Sequence, residues 1–220
     1  MKNLLLALSA SFLLSLAACE QDAYETGTGK FSLTTADMAE VTVDANKTAS
    51  RFVTDDGDEY SLSNVFKAEW MTTADSIYRA IVYYDKPETG TAAKAVTMLP
   101  VPTLIARERW RFNAQPQDPL GVESMWVAAS RKYLNMALLV KTAQTGDSAK
   151  YHGIALSRDT VYSDAGRRVA VYRLLHSQGD IPLYYTVRQY VSILLPADGT
   201  DSVSLSVNTF DGTVVRGFLL

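Results

Sequence analysis

The chain has two histidines, His152 and His176, and with Asp180 they offer a two-histidine, one-carboxylate set of the kind that holds a transition metal. No i, i+2 or i, i+4 spacing ties them together as ligands. Each also lies at the edge of a strand pattern, so they are read as hydrogen-bonding backbone groups at strand ends, and no metal or other cofactor is expected. Asp55, Asp56, Asp58 and Glu59 crowd four acids into five residues. They lack the further spaced acid of an EF-hand loop, and Asp56-Gly57 is accounted for by turn geometry. Arg107, Arg109 and Arg111 alternate with Glu108 and Trp110. In an extended strand the three guanidinium groups would emerge on one face, as a fork-bearing surface for an anion or as a contact between domains. A serine hydrolase would need its nucleophile on a sharp turn, and no Gly-x-Ser-x-Gly occurs. No residue is therefore assigned as catalytic.

The remaining reactive side chain is the only cysteine, Cys19, and a lone cysteine excludes an internal disulfide or a cysteine-rich metal cage. Lys2, the apolar run Leu4 to Leu16 and the small pair Ala17-Ala18 precede it in the pattern of a cleavable export signal. That run falls well short of the roughly 20 residues a spanning helix needs. Leu16-Ala17-Ala18-Cys19 resembles the lipobox of bacterial lipoproteins, in which the cysteine is acylated and becomes the first residue of the mature chain. The resemblance implies a signal peptide over residues 1–18 and a lipid anchor at Cys19, which removes thiol catalysis. Residues 19–29, polar and glycine-containing, read as a lipidated tether. The expected location is the cell envelope, held at a membrane by lipid, most naturally the outer membrane, with either face open.

The anchored body has the composition of a globular protein: 220 residues, 47% hydrophobic and 20% charged, with a formal charge of -3 that speaks against a nucleic-acid partner. Ten acids fall between Glu20 and Glu59 against Lys30, Lys47 and Arg51, an acidic entry segment read as solvated.

The elements that must position these side chains alternate with a period of two. Ala39, Val41, Val43 and Ala45 face one way and Glu40, Thr42 and Asp44 the other, the mark of a half-buried strand. Asp56-Gly57 between Arg51–Thr54 and Tyr60–Leu62 predicts a hairpin with a type I′ turn. Ser76–Tyr84 and Ala95–Leu99 are further strands, giving a small barrel over residues 30–112. The breaker cluster Asn113 to Gly121 is the expected domain boundary. Beyond it Val122–Val127, Tyr133–Val140, Tyr151–Leu156, Val169–His176, Tyr185–Leu195, Ser202–Asn208 and Thr213–Leu219 predict seven strands, with Asp211-Gly212 as the last hairpin turn. The fold class is all-β, a small barrel, OB-like by the family resemblance given next, followed by an antiparallel β-sandwich over residues 113–220.

Taken together, the lipobox, the Phe52 to Asp58 hairpin, Trp126, Tyr133-Leu134-Asn135, Tyr151-His152, and Leu174-Leu175-His176 with Gly179-Asp180 resemble the NigD-like lipoproteins. The resemblance spans residues 30–220 and implies an amino-terminal OB-type barrel with a carboxy-terminal β-sandwich. It also implies an immunity role toward a bacteriocin, since that is the role suggested for the family.

Three classes of function follow. A non-catalytic recognition protein of the envelope, immunity-like, requires a protein partner. A glycan-binding surface lipoprotein requires aromatic platforms in a groove, for which Trp70, Trp110 and Tyr83-Tyr84 are the candidates. A cell-envelope hydrolase requires acids converging in a cleft.

Overall fold

Apolar side chains at every second position drive the chain into strands that bury one face. The computed structural model describes residues 34–144 and 152–220; the export signal, Cys19, the tether and Tyr151 lie outside the described residues. Thr34–Leu220 forms one compact unit.

The first five strands are β1 (Thr34–Val43), β2 (Ala49–Thr54), β3 (Glu59–Phe66), β4 (Ser76–Asp85) and β5 (Ala92–Pro100). They close a barrel in the order β1-β2-β3-β5-β4, with β1 pairing back to β4 from Thr34↔Asp85 to Val43↔Ser76. This is the OB-type arrangement expected from the sequence. Alternation along β1 and β4 sends Ala39, Val41, Val43, Ala80, Val82 and Tyr84 inward, where they are buried. Phe52 lies against Tyr60 and Tyr84 with ring centroids 5.2 and 4.8 Å apart, pairs that add about 0.5–1.5 kcal/mol each beyond the area they bury. The same alternation sends Arg79, Ile81 and Tyr83 outward.

The turn after β2 differs from the type I′ expectation. Gly57 alone has a positive φ, +92°, and its N–H bonds the Thr54 carbonyl at 3.0 Å while Thr54 N–H bonds the Asp58 carbonyl at 2.9 Å. Asp55 and Asp56 keep negative φ, so the loop is one residue longer than a two-residue hairpin and Asp55 is free to point away from it.

The chain then crosses between Pro100 and Thr103. The two-residue strand β6 (Thr103–Leu104) pairs in parallel with β12 (Tyr185–Leu194), and β7 (Arg107–Glu108) with β10 (Gly153–Asp164). A 3₁₀ turn occupies Arg109–Arg111. The other strands are β8 (Gly121–Val127), β9 (Tyr133–Thr142), β11 (Arg167–Ser177), β13 (Ser202–Thr209) and β14 (Gly212–Leu219). They form a sandwich of two sheets, β14-β13-β11-β10-β7 and β6-β12-β9-β8. Its hairpins are antiparallel, whereas β11 and β13 run parallel from Val169↔Ser202 to Arg173↔Ser206. Leu134, Met136, Leu138, Leu174, Val191, Ile193, Val203 and Leu205 fill the space between the sheets. Residues 113–121 follow the sandwich rather than hanging free: His176 N–H bonds the Pro116 carbonyl, Asp118 N–H the His176 carbonyl and Leu120 N–H the Asn208 carbonyl.

β9 is buried on both faces from Tyr133 to Leu138. One face meets the sandwich core. The other face, with Tyr133 and Asn135, meets the outer wall of the barrel, and that contact positions the candidate site.

Candidate functional site

Three polar residues lie on buried faces of their strands: Arg79 in β4, Asn135 in β9 and Ser192 in β12. All three are buried, at 6%, 0% and 0% exposure. An unpaired polar group in such a place is costly, so each must find a partner, and the nearest partners are one another. Arg79 Nε donates to Ser192 Oγ at 3.1 Å, and Ser192 Oγ donates to Asn135 Oδ1 at 2.7 Å. Arg79 Nη2 reaches Asp55 Oδ2 at 2.5 Å and Asn135 Oδ1 at 3.2 Å, and Asn135 Nδ2 donates to the same Asp55 oxygen at 2.7 Å. The guanidinium also lies over the Tyr133 ring, 4.2 Å from its centroid. Tyr133 donates to Glu40 Oε1 at 2.5 Å, an oxygen that Lys132 Nζ also contacts at 2.5 Å. Burial first, and then the bond to Glu40, pushes the Tyr133 hydroxyl well above its ordinary range. Burial opposes ionisation of Glu40, but bonds from Lys132 and Tyr133 outweigh it and hold the carboxyl below its ordinary 4.5. Barrel and sandwich are thus joined by a desolvated polar network whose members come from both.

Beside this network lies a cleft of about 350 Å³ lined by Asp37, Asp55, Asp56, Tyr83, Trp126 and Tyr190. β1 and β4 supply the barrel side, β8 and β12 the sandwich side. Asp55 is neutralised by Arg79 beneath the cleft. Asp37 accepts a hydrogen bond from the neutral Tyr84 hydroxyl at 2.9 Å, and Asp56 is exposed with no ion pair among the described residues. Burial and then Asp37 push the Tyr84 hydroxyl strongly upward. The cleft therefore combines three aromatic rings with the Asp56 carboxylate, which no cation of the described residues offsets, while Asp37, on the β1 face that carries Ala39 and Val41, turns its carboxylate to Tyr84 in the barrel.

The residues singled out from sequence fall in different places. Arg107 is in β7, but Arg109 and Arg111 are in the 3₁₀ turn, so the three do not share one strand face. All three are exposed and make no ion pair among the described residues; Arg111 lies over the exposed Trp110 ring at 4.8 Å. Their neighbour Glu108 is the engaged residue, taking both Arg158 Nε, at 2.8 Å, and Arg158 Nη2. Asp58 is 3.6 Å from Lys86 and Glu59 is 2.5 Å from Arg51, while Asp55 belongs to the junction network. His152 Nδ1 and His176 Nε2 are 3.0 Å apart, and His176 Nδ1 is 2.9 Å from the Asp118 carbonyl. Among the described residues no group of three potential ligands is placed to hold a metal ion. Of the aromatic candidates, Tyr84 is buried in the barrel, Trp70 packs edge-on to Tyr78, and Tyr83 alone lines the cleft.

No family profile and no curated protein matches this chain. Solved structures do. A NigD-like immunity protein of Bacteroides caccae superposes with a TM-score of 0.62 at 16% identity, over 89% of this chain and 99% of that one. The chain has the NigD-like fold. A Parabacteroides distasonis protein provisionally described as toxin-related shares it, with a TM-score of 0.64 at 18% identity over 85% and 93% of the two chains. So does a Bacteroides fragilis protein provisionally described as a lipoprotein, at 0.60 and 12% over 84% and 96%. Within this NigD-like fold the Tyr133-Leu134-Asn135 motif has a physical role. Its outer residues carry the junction network while Leu134 enters the sandwich core.

Proposed function

We propose that this chain is a lipid-anchored, non-catalytic recognition protein of the bacterial cell envelope that holds its partner in the cleft between barrel and sandwich. The carrying observation is the cleft itself: solvated aromatic and acidic side chains from both β bodies sit above a floor that Arg79, Asp55, Asn135 and Ser192 make rigid. A site pre-formed in this way gains affinity because little side-chain freedom is lost on binding. A hydrolytic reading would need two free acids flanking a bond, whereas Asp37 accepts from the Tyr84 hydroxyl and Asp55 has an oxygen committed to Arg79 and Asn135, which leaves Asp56 as the uncommitted acid of this cleft. Anchoring rests on Leu16-Ala17-Ala18-Cys19. A partner of the immunity kind is supported by the naming of the B. caccae protein, and no nucleic-acid partner is included.

A second reading, glycan or anion binding, is favoured by one observation: Trp110 is 75% exposed, beside Arg109 and Arg111. It predicts loss of glycan capture in Trp110→Ala.

The test is photo-crosslinking in intact cells from a reactive residue placed at Tyr190. Adduct formation at Tyr190, absent from the exposed barrel position Val65 and lost in Trp126→Ala, supports the cleft. Equal adducts from both positions overturn it, as does turnover of envelope glycans by the purified chain. Cys19→Ser should release the protein from the detergent phase; retention there overturns the anchor.

A further inference from the structure

We propose that the junction cleft is a socket for one basic side chain, arginine or lysine, presented by a protein partner. This rests on reading the cleft as the binding site and names what enters it.

Charge decides the sign of the ligand. Asp56 has no cationic counterpart among the described residues, Asp37 adds its charge from the barrel side of β1, and no lysine or arginine lines the cleft. The rings of Tyr83, Trp126 and Tyr190 add negatively charged faces, worth about 0.5–2 kcal/mol each toward a cation seated over them. Anionic glycans and phosphates are repelled by the same arrangement. Shape decides the class. Beyond Asp56 and the rings, the barrel wall contributes Met38 and Ile81, apolar groups against which the methylene stem of a lysine or arginine can lie while its charged end meets the Asp56 carboxylate. A sugar ring uses aromatic platforms but has no need of an apolar wall leading to an acid. Volume decides the bearer: about 350 Å³ is at the small end of ligand sites and takes one side chain, leaving the rest of the ligand on the surface. A macromolecule that presents a lone guanidinium or ammonium on an aliphatic stem is a protein.

The experiment titrates the full chain in detergent micelles by calorimetry. The probes are a blocked Gly-Gly-Arg-Gly-Gly peptide, its lysine and citrulline counterparts, free arginine, and a neutral hexasaccharide. Citrulline keeps the shape of arginine and removes the charge. The arginine or lysine peptide should bind more tightly than free arginine and roughly tenfold or more above the citrulline peptide, as expected for losing charge-assisted hydrogen bonds. Asp56→Asn and Trp126→Ala should each weaken binding, added salt should weaken it further, and Arg109→Gln should leave it unchanged. Asp56 is exposed, so its variant is expected to unfold at the wild-type temperature, and that is measured alongside. Equal binding of arginine and citrulline peptides, or saturation by the hexasaccharide, overturns the cationic class. If no peptide binds while Trp126→Ala still abolishes the cellular adduct, the socket falls and the cleft stands; if that adduct survives Trp126→Ala, both fall.

Discussion

Arg79 brings a full charge to a position with 6% exposure, and moving such an ion out of water costs several kcal/mol. Asp55, Asn135, Ser192 and the Tyr133 ring together offset that cost, although Nη1 has no hydrogen-bond partner among the described residues. Removing the cation strands Asp55 and Asn135 Oδ1 beside it. Arg79→Met is expected to lower unfolding free energy by about 3–5 kcal/mol in urea titration, and Arg79→Met with Asp55→Ala to cost less than the two separately. Strict additivity would dissolve the network as a unit. The histidine pair makes a second residue-scale case. The Asp118 carbonyl accepts from His176 Nδ1–H, which leaves Nε2 to accept from His152 Nδ1–H; a proton on His176 Nε2 would face that same N–H. Burial first, and electrostatic repulsion between the two rings on protonation second, hold His152 below its ordinary 6.5. The folded state therefore takes up its proton later than the unfolded state as pH falls. Stability should be full above about pH 6.5 and decline below it, while Glu40, held below 4.5, adds its own loss only in more acid solution. Thermal midpoints from pH 8 to 5 check this, and His152→Gln should flatten the curve between 6.5 and 5.

At the scale of elements, the turns separate by backbone sign. Ala165-Gly166 joins β10 to β11 with φ of +47° and +79°, the two positive values a type I′ turn requires, and alanine pays there about 1–2 kcal/mol that asparagine or glycine avoids. Ala165→Asn should stabilise by roughly 0.5–1 kcal/mol in denaturant unfolding. Gly57→Ala should destabilise by roughly 1–2 kcal/mol although nothing crowds its side chain, because φ is +92°. A neutral result at both positions would mean that these turns relax freely. Where alternation was strong, the strands were legible from sequence: Ser202–Asn208 reappears as β13 and Ser76–Tyr84 as β4 within one or two residues. β10 runs to Asp164, well past the expected Leu156, because Tyr162 to Asp164 are exposed and leave no apolar period to read. The parallel pairing of β11 with β13 and the meeting of Arg79 with Asn135 join residues 33 and 56 positions apart. Periodicity reports only which face of a strand is buried, so it is blind to such partners. Arg79 and Asn135, each set among apolar neighbours in Ser76–Tyr84 and Tyr133–Val140, were the available signal, since a buried polar group implies a buried partner without saying which; Ser192 shares its strand with Thr186, Arg188 and Gln189 and gave no such signal.

The whole molecule is held by more than the network. Backbone bonds run from Ser130 N–H to the Asp55 carbonyl, from Val101 N–H to the Arg79 carbonyl and from Ser192 N–H to the Pro102 carbonyl, tying the barrel and the crossing segment to the sandwich. β6 and β7, only two residues each, add to opposite sheets of that sandwich. Residues of the barrel wall and residues of β9 and β12 therefore share one network, and neither body can lose its partner without exposing Arg79, Asn135 and Ser192 to a broken network. The expected consequence is one cooperative transition. Two variants can report it, one keeping only Trp70, which packs on the barrel core, and one keeping only Trp126, on β8 of the sandwich. Their fluorescence midpoints in urea should coincide in the wild-type background, and proteolysis should spare residues 113–121, whose backbone is bonded to His176 and Asn208. Introducing Arg79→Met should move both midpoints down together if the junction is integral to each body. Separation of the Trp70 and Trp126 midpoints in the otherwise unaltered chain would mean that barrel and sandwich fold independently, and the rigid cleft floor on which partner binding depends would lose its basis.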